Sequence, residues 1–402
     1  GTNRAMPEIV NRLARSGTPV LLHIHDFAED GRPENYTVIR SSSESAASLY
    51  PIAPHIGYAV LNARDYAILS GAGVPDASLF SLPNSVPAPE SIHGEDTGTR
   101  DAIHATLPGS ARVAKDARLY LYPVRATRRK NFGEFLFWSA VAKIGGAHRF
   151  FGNTLGPTNP NFEASYRQWA HFSRDRGLPA TLGFGEKIDA SFPEIVGAAE
   201  ALMTTSVAEG FGLAFLEPWA FGKALVGRDI QDVTDDFAEK DVGLESLYGR
   251  LNVPLAWIGG MKALRPEIES ALAASRGAYG QEAGLDDVAR AVEAFCEEDR
   301  VDFGRLHEPM QQAVIDQILG DPHALESVSP DRLPDPPSED RIARNRKAVA
   351  EAFHPSTYAD RLFSIYRHLL ESSGQGETLD FLDPDAVLGR FLDPARLYLL
   401  RT

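Results

Sequence analysis

Short apolar runs alternate with stretches of helical period along most of the chain, a pattern that predicts parallel strands joined by helices in an α/β fold. Ile9 and Leu13 recur at helical spacing within residues 4–15, and Pro19-Val-Leu-Leu-His-Ile-His25 then reads as a buried strand. A loop rich in Asp, Glu and Gly (26–36) leads to a second strand over 57–62 and a helix opening near Ala63. This block, residues 1–86, is expected to be one Rossmann-like domain. Residues 87–110 mix Pro, Gly, Ser, Thr and charge without a period and read as a linker. A second Rossmann-like domain is expected over 111–340. It opens on the strand Ala117-Arg-Leu-Tyr-Leu-Tyr-Pro-Val and the basic turn Arg125-Ala-Thr-Arg-Arg-Lys130. Further alternating units run to the strand at Ala224, and a proline-rich connector covers 326–340. Over 341–402 two amphipathic helices are expected to pack back on the first domain, with Tyr358, Leu362, Ile365, Tyr366 and Leu369 as the second one's apolar stripe. Two copies of Phe-Leu-Asp-Pro, at 381 and 391, predict short helices capped by Asp and opened by Pro.

Four hundred and two residues suit two cores better than one. With 43% hydrophobic and 24% charged residues, the chain is globular and not disordered. No apolar run approaches the roughly 18 residues of a membrane helix. Forty Lys and Arg against 55 Asp and Glu leave a net charge of −15. That surface repels phosphate polymers and argues against nucleic-acid binding, so an anionic ligand needs a local cluster of cations or backbone N–H groups. The lone cysteine, Cys296, excludes an internal disulfide and favours a reducing, cytoplasmic setting.

The most informative stretch is Thr204-Thr-Ser-Val-Ala-Glu-Gly-Phe-Gly-Leu-Ala-Phe-Leu-Glu217. It reads as a strand, a bare-backbone turn, and a helix starting near Gly212 whose N-terminal N–H groups would hold anionic oxygens. Gly210 and Gly212 leave room for a phosphate to approach the backbone. Glu209 falls at the strand end, where residues face the ligand crevice of open α/β sheets. Glu217, about five residues into the helix, suits vicinal hydroxyls such as a ribose. Pro218 removes one backbone bond and is expected to bend that helix. The ordinary alternative is a common strand–turn–helix with solvated glutamates. Neither GxGxxG nor GxxxxGK[ST] occurs.

Glu209-Gly-Phe-Gly-Leu-Ala-Phe-Leu-Glu217 resembles the motif of retaining GT-B glycosyltransferases of the family-4 type. Three further segments resemble that family in the same order. They are His25 closing its strand, Leu82-Pro-Asn-Ser-Val between the domains with Ser replacing Gly, and Arg125 to Lys130 with Asn131 replacing a Gly. The resemblance covers roughly residues 4–370. It implies two Rossmann-like domains whose parallel sheets face each other across a cleft. It also implies that the N-terminal domain lacks its first half here, about 90 to 110 residues for a domain of the usual size. Either the chain is processed or another polypeptide supplies that half, and poor stability of the chain alone is expected.

Arg125 and Lys130, five apart after a strand, are expected to reach one diphosphate together, the first as a rigid fork and the second as a point charge. The alternative is a solvated basic turn. His25 is read as facing the ligand with Asp26 orienting its ring, and His23 as pointing to the opposite face. The resemblance implies that Glu209 and His25 contact a donor sugar, that Glu217 holds the ribose, and that Gly210, Phe211, Gly212 and Leu213 cradle the diphosphate. The base is placed near Gly183 and Phe184. No metal or other cofactor is called for when cations neutralise the diphosphate, and Asp331, Asp335 and Asp340 are read as solvated. Trp169, Trp219 and Trp257 are read as core or interface aromatics.

The expected activity is transfer of a sugar from a nucleotide diphosphate-sugar to a hydroxyl acceptor, with retention at the anomeric carbon. Two other classes stand beside it: a non-catalytic nucleotide-sugar-binding subunit, and a sugar-nucleotide epimerase on the same fold.

Overall fold

The computed structural model describes residues 5–42, 49–89, 97–372 and 379–401. The α/β class with parallel sheets is what it shows. A six-stranded sheet runs Leu247–Tyr248, Ala224–Arg228, Ala201–Thr204, Arg118–Arg125, Arg149–Leu155, Ala180–Leu182, every pair parallel. The chain leaves Arg118–Arg125 toward one edge and returns at Ala201–Thr204 to build the other. The strand order therefore reverses between those two neighbours, and a crevice forms at their C-terminal ends. Continuous apolar strands are what a sheet covered on both faces requires, and Leu119 to Tyr122 are fully buried.

One cover is the helix Phe132–Ile144, apolar on all sides, which packs against the strand Arg149–Leu155 and the helix Glu308–Gly320. Asn131 precedes it at φ 52, and its side chain accepts from the Glu134 N–H. Asparagine is among the few non-glycine residues that enter this left-handed region readily, which accounts for its standing where the resemblance expects Gly.

The second parallel sheet has three strands, Val20–Ile24, Ile56–Val60 and Leu79–Ser81. The helix Pro355–Ser372 packs on it through Ile365 and Leu369. Tyr366 leaves the expected stripe and is exposed, as are Ile9 and Leu13 on the helix Met6–Arg15. The stretch read as a linker holds a helix, Thr97–Ala105, while 90–96 lie outside the described residues. Thr, Gly and Asp mask helical period there, and Ile103 anchors that helix in the large core. Asp383 and Asp393 cap short helical segments as expected, accepting from the N–H groups of Asp385 and Ala395. Among the described residues no helix is long and apolar enough to cross a membrane.

Candidate functional site

The strand ends of both sheets converge on one cleft of about 950 Å3. From the three-stranded sheet come His25, Leu61 and Asn84, each just past a strand. From the six-stranded sheet come Thr127 to Arg129 and Ala208 to Leu213, on the two sides of the strand-order reversal. The Arg128–Lys130 turn is clamped there. Its Lys130 carbonyl accepts from Tyr122 Oη (3.1 Å) and Thr205 Oγ1 (3.0 Å), and the Val207 N–H donates to the Arg129 carbonyl (2.9 Å).

Glu209 is the centre of charge. Its side chain is 9% exposed, Lys130 Nζ pairs with Oε1, and Arg129 Nη1 lies 3.1 Å from Oε2. Burial pushes the Glu209 carboxyl up, but Lys130 and Arg129 outweigh it and hold it below the ordinary carboxylate range. Burial holds Lys130 below the usual lysine range against the pull of Glu209. A diphosphate entering here would meet the same two cations. The backbone of 209–212 belongs to no helix or strand, so its N–H groups are not committed to a ladder.

Gly212 is required twice over: φ is +91°, and a Cβ would stand 2.5 Å from Val233 Cγ1. Asn62, at the end of the strand Ile56–Val60, donates from Nδ2 to the Gly210 carbonyl (2.9 Å) and so ties the glycine turn to the opposite sheet. The pattern of apolar runs did not single out Asn62; its only signal is a polar residue at a buried strand's end.

Several expected placements are corrected. Arg125 is exposed and its Nη1 lies 3.1 Å from Thr158 Oγ1, outside the cleft, because the strand's pairing shifts register between Tyr122 and Arg125. Arg129 stands in its place beside Lys130. Arg128 goes elsewhere again, forking onto Glu308 at 2.8 and 2.9 Å. No long helix starts at Gly212: a single 3-10 turn (Leu213–Phe215) precedes the four-residue helix Glu217–Ala220. The dipole of so short a helix adds little to anion binding. Pro218 occupies the first turn of that helix, where a missing N–H loses nothing, so no bend arises. Glu217 is exposed outside the cleft lining, although partial burial of its carboxyl pushes the pKa up.

Phe211 packs edge-on against Phe237 and Phe353, and Leu213 is exposed at the cleft's rim. Phe184 is fully buried against Gly152, so it is core and not a platform for a base. Gly183 takes φ +61° beside it. His23 and His25 do not oppose each other. Residues two apart in a strand share a face, and their rings lie 4.3 Å apart. Asp26 pairs with Arg32 at 2.7 Å. Asp335 is solvated as expected, 70% exposed, and pairs at the surface with Arg149 at 3.0 Å. Arg64 and Arg401 add charge at the cleft's edge, both paired with Asp30. Among the described residues no three His, Cys, Asp or Glu side chains converge as a metal site.

No family model matches the sequence. Mannosylglucosyl-3-phosphoglycerate synthase of Petrotoga mobilis is 31% identical over 265 residues, 64% of this chain and 49% of that protein. The chain thus spans about half the length of the curated relative it matches. Among solved structures, HepE of Anabaena in complex with UDP and glucose is 12% identical with a TM-score of 0.48, covering 90% of this chain and 75% of that one. Sucrose-phosphate synthase of Thermosynechococcus elongatus is 13% identical with a TM-score of 0.44, covering 92% and 73%. The resemblance to GT-B glycosyltransferases read from the sequence is the one that these comparisons return.

Proposed function

We propose that the chain transfers a sugar from a nucleotide diphosphate-sugar to a hydroxyl acceptor, with retention at the anomeric carbon. The observation that carries this reading is the convergence of Lys130, Arg129 and Glu209 at the strand-order reversal, across one cleft from His25. In the transfer, the bond from the anomeric carbon to the diphosphate oxygen breaks and the diphosphate leaves with the electron pair. The acceptor oxygen bonds the same carbon on the same face, and its proton passes to the departing diphosphate. Charge grows on the diphosphate as it leaves, so Lys130 and Arg129 bind it more tightly in the transition state than in the ground state. Displaced from the cations, the Glu209 carboxylate is free to accept hydrogen bonds from sugar hydroxyls, with His25 across the cleft.

The relative's name points to a phosphoglycerate glycoside as the first acceptor to try. A thermal-shift panel of UDP-, GDP- and ADP-sugars identifies the donor, since stabilisation follows binding. Transfer is then followed with that donor in wild type, Glu209→Gln and Lys130→Ala. Loss of turnover in both variants, with a fold retained by circular dichroism, is the expected result. Turnover by Lys130→Ala at the wild-type rate would end the diphosphate role, and an inverted product would end the retaining assignment.

A further inference from the structure

A second cavity, of about 720 Å3, opens on the other side of Glu209. It shares Asp30, Gly31, Arg64, Ala208, Glu209 and Arg401 with the cleft described above, so the two spaces meet at the glutamate. We propose that this cavity is the acceptor site, and that Arg250 and Arg305 in it hold a phosphate carried by a small polyol or hydroxy-acid acceptor. The proposal rests on the transferase reading, which puts the transferred sugar at Glu209.

The charges of the cavity wall select those two arginines. Arg64 and Arg401 are answered by Asp30 at 3.1 and 2.7 Å, Arg276 by Asp287 at 2.8 Å, and Arg396 by Asp232 at 3.5 Å. Arg250 instead donates to the carbonyls of Ala294 (3.0 Å) and Phe295 (2.9 Å) and to Asn252 Oδ1 (3.2 Å), with Glu297 as far off as 3.9 Å. Arg305 donates to the carbonyls of Ala395 (3.0 Å) and Leu397 (2.8 Å). Its side chain is 12% exposed, its Nε is buried without a partner, and Asp302, 3.9 Å away, is already forked by Arg228. A guanidinium whose hydrogen bonds go to neutral carbonyls, with its nearest carboxylate 3.9 Å away, is loosely balanced, and a bound anion would pair with it more closely.

The two arginines meet at Phe295: Arg250 bonds its carbonyl, and the Arg305 guanidinium lies 5.5 Å from its ring centroid. Both arginines line this cavity, and their planar donor forks suit a phosphate. Asp302 in the same wall offsets part of their charge, but Arg228 holds it by hydrogen bonds, and the other carboxylates are engaged elsewhere. Asp393 is held by Arg290 at 2.8 Å, Asp229 accepts from Thr234 at 2.6 Å, and Glu29 accepts from Tyr50. Burial raises the pKa of Glu29 and Asp229.

The test uses calorimetry and thermal shift on the full chain with inorganic phosphate, glycerol 3-phosphate and 3-phosphoglycerate, and glycerol as the neutral control. Wild type is compared with Lys130→Ala, which removes an anion-binding group of the donor turn, and with Arg250→Gln and Arg250→Lys. Arg305 also staples the 391–401 segment, so Arg250 carries the decision. A phosphorylated compound should bind wild type and Lys130→Ala alike, bind Arg250→Gln roughly tenfold or more weakly, and recover in part in Arg250→Lys. In turnover, Arg250→Gln should raise the acceptor KM and leave nucleotide affinity unchanged. The proposal is overturned if none of the phosphorylated compounds binds, if Arg250→Gln binds them as wild type does, or if binding disappears in Lys130→Ala. Should nucleotide-sugars fail to bind wild type while the phosphorylated compounds bind through Arg250, the anion site stands and its acceptor role falls with the transferase reading.

Discussion

Arg228, on the strand Ala224–Arg228, is a fully buried charge held by two carboxylates, and its removal has a calculable effect. Its side chain is 2% exposed. Nε donates to both oxygens of Glu134 (2.8 and 3.0 Å), and Nη2 to Glu134 (2.8 Å) and to Asp302 (2.7 Å). Nη1 donates to Asp302 (3.1 Å) and to the Gly249 carbonyl (3.1 Å). Burial works against both acids. Arg228 overcomes it at Asp302, which stays below its ordinary pKa, but not at Glu134, which is raised. Arg228→Met therefore strands two buried carboxyls. Breaking such a cluster costs about 3–5 kcal/mol, two to three and a half powers of ten in the folded-to-unfolded ratio. Urea unfolding followed by tryptophan fluorescence measures it directly, because Trp138 donates to Tyr248 Oη (2.6 Å) and Tyr248 donates to Glu134 (2.7 Å) within the same network. Adding Glu134→Gln and Asp302→Asn to Arg228→Met should recover most of the loss, since uncharged partners need no counter-ion. A loss below about 1 kcal/mol in the single variant, or a triple variant no more stable than the single, refutes the reasoning.

Other expectations are shorter to state. Arg129→Ala and Lys130→Ala should each weaken nucleotide-sugar binding by roughly 10- to 100-fold, whereas Arg125→Ala, bonded to Thr158 and outside the cleft, should change it less than about twofold by calorimetry. Gly212→Ala combines the positive φ with the Val233 contact and should cost about 2 kcal/mol or more in urea unfolding, with nucleotide binding lost in the folded fraction. Glu308 is also predicted to make stability depend on pH. Burial raises its carboxyl, but the Arg128 fork wins and leaves the folded pKa below the ordinary 4.5. A carboxylate lowered in the folded state contributes stability that is complete above the unfolded value and lost as pH falls through the folded one. Glu308→Gln should thus be less stable than wild type at pH 7, with the difference in urea midpoint closing below about pH 4. A difference that stays constant to low pH would count against the fork.

What could be read in the chain itself was local. Alternating apolar runs predict most strands of both sheets, because a doubly covered parallel strand must be apolar along its length, but not the short edge strands Leu79–Ser81 and Leu247–Tyr248. Asp383 and Asp393 announce their caps, since the Asp–Pro pair has both the acceptor and the fixed φ that a helix start uses. The glutamate and glycine spacing of 209–217 falls at the corner where the strand order reverses. The failures share a cause: each depended on a direction in space that spacing does not encode. A register shift turns Arg125 outward and leaves Arg129 inside. Val233, twenty-one positions later, explains Gly212 as much as any ligand does. Phe184 reads as loop yet fills the space that Gly152 leaves beneath the sheet. The Arg228 cluster joins positions 134, 228 and 302, and nothing local in the chain marks those three residues as partners.

One feature of the fold bears on how anything enters or leaves. The segment 391–401 crosses from one half to the other, with Leu399 offering its carbonyl to Arg128 at 3.4 Å and Arg401 gripping Asp30 at 2.7 Å. Those two contacts tie the halves together at the entrance. If the halves must part for exchange, that contact has to break first, and since dissolved salt weakens it, the pace of exchange is expected to respond to ionic strength.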